Sequence, residues 1–211
     1  MNASKSLLPL LAAIALTSGC GVRRVPINVL EKLPYEAKIE LLEAENDLAV
    51  AIDHVDESHN EILRTRDQIR RAKTRLSAAE GEVGDARDET SREVARLAVK
   101  EGDMRVEYLR ARQRVNVIEE RVSERALWCA QARFELARLT AAKKAKLEGS
   151  ESLSVADSEG QVKSCDARVE EVKAEQKKEA AAAEKVKADW EKEKSALARK
   201  TFDARASPFV E

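Results

Sequence analysis

Large apolar residues recur at every seventh position from Leu41 through Leu48, Val55, Ile62, Ile69, Leu76 and Val83. Three residues after each stands a small one: Ala44, Ala51, Ser58, Thr65, Ala72, Ala79 and Ala86. Residues three and four apart share a helix face, so this pattern predicts a long helix with one apolar seam of heptad spacing. The same phase continues through Thr90 to Leu97, Met104, Ala111 and Ile118, flanked by a companion row of Val94, Tyr108, Val115, Val122, Cys129 and Leu136. No proline falls between Pro34 and Pro208, which permits helices of great length.

Gly81 and Gly84 interrupt this segment, and each glycine costs about 1 kcal/mol in a helix interior. The unbroken phase favours a continuous or kinked helix across residues 81–84 over a hairpin turn. A continuous helix of a hundred residues would reach about 150 Å. The clear break comes at 148–154, where Gly149 is suited to a left-handed cap after Lys143, Lys144 and Lys146. Ser152 or Ser154 can then cap a second helix, with Asp157 in its first turn.

The return helix, residues 155–205, carries its own rows: Val155, Val162, Val169, Ala183, Trp190 and Leu197, with Cys165, Val172 and Val186. Gln176 and Glu179 interrupt them. The fold class expected is therefore all-α: long coiled-coil helices forming an antiparallel hairpin or bundle, with a turn near 147–153. Residues 206–211 read as a frayed tail.

Composition narrows the picture. Aromatic residues are 3% and charged residues 36% of the chain, so the core is thin and alanine-rich. A net charge of −1, with both signs interleaved, provides no field for nucleic acid. The stretch 173–200 is almost pure Ala, Lys and Glu and resembles in composition the periplasmic stalk of TolA-type proteins. His54 and His59 are five apart and so fall on different helix faces, which makes a metal site improbable. The pairs Asp67–Arg71, Asp88–Arg92 and Glu101–Arg105 have the order that supports an exposed helix. Solvated carboxylates of this kind have no burial to tune them for acid–base work. No catalytic, metal or cofactor constellation emerges.

The N-terminus has a different character. Residues 1–19 combine Lys5, an apolar run from Leu7 to Leu16, and small residues Thr17-Ser18-Gly19 before Cys20. The run is too short to span a bilayer and has the form of a secretory signal. With Cys20 following Gly19, the segment resembles the lipobox of bacterial lipoproteins, with Thr17 where that family prefers Leu. The resemblance covers residues 1–20 alone. It implies diacylglycerol on the Cys20 thiol, cleavage before it, and attachment to a membrane; Gly21 in place of Asp points to the outer membrane, facing the periplasm. Residues 20–34 read as the lipidated cysteine and a linker, in which Arg23 and Arg24 act as a solvated spacer or meet anionic headgroups.

Lipidation of Cys20 leaves Cys129 and Cys165 as an even pair in an oxidising compartment. Each lies eighteen residues from Leu147, one on either side, so a reversal there brings them to one height. This register predicts a disulfide between them over two free buried cysteines or an intermolecular bond. The expected function is non-enzymatic: a lipid-anchored helical stalk serving as tether, spacer or accessory subunit of the cell envelope. Its partners would be the membrane through Cys20, and a second copy or an envelope protein through the helical seam. The alternative is a soluble periplasmic helical chaperone or binding module.

Overall fold

The computed structural model describes residues 25–202. Residues 1–24, on which the expected signal segment, Cys20 and the first part of the expected linker fall, and residues 203–211 with the expected tail lie outside the described residues. All regular structure among those described is helical: α1 (Ile27–Leu30), α2 (Tyr35–Asp85), α3 (Glu89–Lys144) and α4 (Val155–Thr201).

The chain reverses twice, not once. The single helix expected over 35–147 is two antiparallel helices, α2 and α3, joined by three residues at 86–88. Both glycines remain inside α2, where a methyl group at either position would meet open space. The stop comes from Asp88 instead. Its backbone is extended, and its carboxylate accepts from the Ser91 backbone N–H at 2.8 Å and from the Ser91 hydroxyl at 2.7 Å. An N-cap of this kind satisfies otherwise orphaned amides at a helix start. The heptad phase misled because α3 packs on two sides and so presents apolar residues over a broad arc.

The second turn follows residues 145–154. Here Lys146, with φ of 52°, takes the left-handed position expected of Gly149. The N–H of Leu147 returns to the Ala142 carbonyl and that of Lys146 to the Lys143 carbonyl, each at 3.0 Å, closing a Schellman motif. Gly149, with φ of 90°, serves the next turn. Ser154 caps α4 by accepting from the Asp157 N–H at 3.2 Å.

Helix α3 is the shared element. It packs against α2 on one side and α4 on the other, and no Cα of α2 comes within 8 Å of one in α4. At 1.5 Å per residue its 56 residues give a rod about 84 Å long, roughly half the reach of an unbroken stalk. The seam of α2 lies on the covered side along its whole length, with Ala51, Ser58, Ile62, Thr65, Ala72 and Ala79 buried. Its partner is therefore α3 of the same chain. Two polar groups in this seam are satisfied: the Asn116 side-chain amide donates to the Thr65 hydroxyl at 2.8 Å and to the Glu61 carbonyl at 3.3 Å.

Residues 25–34 are also more ordered than Pro26 and Pro34 suggest. Val25 and Leu33 are buried, and Val25 packs with Leu139 and Ala142 beneath Leu147, Leu153 and Val155. Leu33 packs with Ala37 and Ala141. Arg138 donates to the Val25 carbonyl at 3.1 Å. Residues 25–33 are thereby fixed to the rod end that carries the second turn.

Candidate functional site

Two places on the α3–α4 contact concentrate chemistry. The first is the cysteine pair. Cys129 and Cys165, 36 residues apart, are joined by a disulfide with 5.5 Å between Cα atoms. Cys129 is buried and Cys165 half-buried, so the bond lies in the packed face and is not displayed for exchange. Ion pairs run along the same contact: Arg133 with Asp166, Arg121 with Glu175 at 3.0 Å, Lys100 with Glu193 at 2.9 Å and Glu93 with Lys200 at 2.7 Å. Such exposed pairs contribute little each, and their regular order sets antiparallel register more than stability.

The second place lies toward the other end of α3, around Glu101. Sequence reasoning put Glu101 on a solvated face; the structure buries it fully, at 0% exposure, and buries Arg105 beside it. The error has a simple source. In the companion row of α3, position 101 falls between Val94 and Tyr108, one heptad from each, and a carboxylate there interrupts an otherwise apolar row. That interruption was the available signal.

What meets the carboxylate comes from α4. The Trp190 indole N–H donates to Glu101 Oε1 at 2.7 Å. The indole stacks on Tyr108, with ring centroids 5.3 Å apart and planes 8° from parallel. Arg105 and Lys194 place their cationic groups 5.7 and 5.3 Å from the indole centroid. Oε2 of Glu101 is buried without a hydrogen-bond partner. Desolvation raises the Glu101 pKa above the usual carboxylate value, opposed by the Trp190 hydrogen bond and by the nearby charges of Arg105 and Lys194. The arrangement holds no nucleophile beside the acid; it works as a clasp that ties α4 to α3 through one buried proton-binding group.

The remaining residues singled out from the sequence are scattered. His59 Nδ1 lies 2.8 Å from Glu120 on an exposed face, and His54 lies 3.8 Å from Glu57. Among the described residues no three His, Cys, Asp or Glu side chains gather as metal ligands. Asp67 pairs with Arg70 at 3.0 Å, and Asp88 is spent on its cap. A shallow groove of about 700 Å³ between α2 and α3 is floored by Leu76 and Val106, with both signs of charge on its rim. The two tryptophans divide: Trp190 fills the clasp, whereas Trp128 is 63% exposed with Arg125 stacked 5.7 Å from its ring. No described helix is long and apolar enough to cross a membrane. No protein-family model matches this sequence, and comparison with curated proteins and with solved structures likewise finds no match.

Proposed function

We propose that this chain is a non-catalytic, lipid-anchored helical rod of the bacterial cell envelope, held in the outer membrane by acylated Cys20 and extending into the periplasm. The observation that carries the reading is the lipobox, Thr17-Ser18-Gly19-Cys20, placed five residues before the point where Val25 is packed against the rod end. Several acyl chains hold a protein firmly where one holds it weakly. Five residues span at most about 17 Å when extended, so a rod begins almost at the bilayer with no long tether.

The role that fits is a spacer or accessory subunit. Intrachain packing covers the α2 seam, so a protein partner meets the outer faces, where Trp128 offers an aromatic anchor of the type that dominates interfaces. The soluble-module reading separates cleanly from this one. Intact mass and detergent-phase partitioning of wild type are compared with Cys20→Ala. A lipid-sized increment and detergent partitioning in wild type alone are expected; identical aqueous behaviour of both proteins sinks the anchor.

A further inference from the structure

Exposed apolar side chains gather where the chain enters the rod. Tyr35 is 75% exposed, Leu42 60% and Ile39 44%, and Ile27 in α1 is 74% exposed. Positions 35, 39 and 42 are spaced four and three apart, which puts them on one face of α2. The next residue on that face is Asn46, so the patch covers only the first two turns, about 10 Å of helix. Val50 follows on that side one turn beyond Asn46, while the other exposed large apolar residues further along α2, Ile52 and Leu63, stand apart from it.

We infer that this face of α2, Tyr35, Ile39 and Leu42, rests in the headgroup region of the bilayer, so that the rod leans on the membrane beside its anchor. The inference rests on the lipid-anchor reading and specifies the surface that anchor brings into contact. Three observations favour a lipid occupant. Val25 and Leu33 both pack on one turn of α3, residues 139–142, so the start of α2 lies close to the point where the chain leaves toward Cys20. The five residues from Cys20 to Val25 keep that end within about 17 Å of the acyl chains. The patch itself is an aromatic with a polar tip beside branched aliphatics, the composition that settles at a membrane–water boundary. A second copy is a poor occupant, because two helical turns fall well short of the roughly 800 Å² per partner that a stable interface buries. The exposed charges around the patch are Lys32 and Lys38 against Glu31, Glu36, Glu40, Glu43 and Glu45, with Glu40 paired to Lys144 at 3.1 Å, so the surroundings are net acidic and apolar contact alone supplies the attraction.

The test uses the full chain purified from membranes, with intact mass taken first. It is reconstituted into phosphatidylethanolamine–phosphatidylglycerol vesicles containing phosphatidylcholine brominated near the top of its acyl chains. Tyr35→Trp is compared with Leu63→Trp, an exposed position well along the same helix. The added indole at position 35 should lose about half its emission to the bromines and shift to the blue, as expected for an interfacial aromatic, while that at 63 should match vesicles without bromine. Equal, unquenched emission at both positions from an acylated protein overturns the patch while leaving the anchor intact. Shielding of position 35 from aqueous iodide without bromine quenching, together with dimers in sedimentation, assigns the face to a second copy and also overturns it. A mass lacking the acyl increment removes the anchor, and the patch proposal with it.

Discussion

Trp190 donates its indole N–H to Glu101 across 2.7 Å, joining residues 89 apart in sequence at a point where the carboxylate has lost all contact with solvent. Burial raises the folded-state pKa of Glu101. The stabilising contribution of its protonated form is therefore complete below the unfolded carboxylate pKa, about 4.3, and is lost as pH rises through the higher folded value. Glu101→Gln keeps an oxygen for Trp190 and removes the ionisation. Thermal melts should show this variant more stable than wild type at pH 7, with the gap closing toward pH 4. A constant gap across that range refutes the protonation account.

Closing a 36-residue loop, the Cys129–Cys165 bond should contribute on the order of 3–4 kcal/mol by restricting the unfolded chain. Cys129→Ser with Cys165→Ser, or reduction of wild type, should lower the denaturant midpoint by that free energy while leaving helical circular dichroism unchanged at 25 °C. Two alkylatable thiols in untreated, denatured protein would show that the bond does not form.

Asn116 and Thr65 form a buried polar pair in an otherwise apolar seam. Thr65→Val leaves the amide short of a partner and should cost about 1–3 kcal/mol. Asn116→Leu with Thr65→Val should recover most of that loss, and the coupling in a double-mutant cycle measures the pair. Additive losses would mean that the two side chains act separately.

The position of the first reversal is open to the same treatment. Asp88→Ala removes the α3 cap and should destabilise by about 1 kcal/mol. Gly81→Ala and Gly84→Ala should each stabilise by up to about 1 kcal/mol, because both glycines are helical with free space around them. Destabilisation by either alanine would place the turn at the glycines instead.

The sequence conveyed the all-helical class, the α2 seam residue by residue, the start of α4 at Val155 and the shared height of the two cysteines. Those features depend on local spacing, which the chain displays openly. It concealed the reversal at 86–88, because a three-residue connection needs no glycine and an aspartate cap looks like any other acid in a charged helix. Glu101 was hidden for a related reason. Whether a carboxylate is solvated depends on what a helix 89 residues away brings over it, and although Trp190 stands in the apolar row of α4, nothing local shows that it lands on position 101. The order of residues 25–34 was obscured by Pro26 and Pro34, although Val25, Val29, Leu30 and Leu33 together supply enough apolar surface to hold them down.

Having α3 in common between two neighbours has a consequence for how such a rod can vary in size. Leu197 of α4 packs with Ala79 and Ala98 beside the first turn, while the second turn gathers with Val25 at the other end. Both contacts are reached in register only if all three long helices match. An insertion in one helix alone would slide the disulfide, the clasp or the Asn116 pair out of alignment. Extension therefore has to come as concerted blocks, one heptad in each helix, about 10 Å at a time. Such a molecule behaves as a gauge of fixed span: three passes leave the entry of the chain at one end and Phe202 at the other.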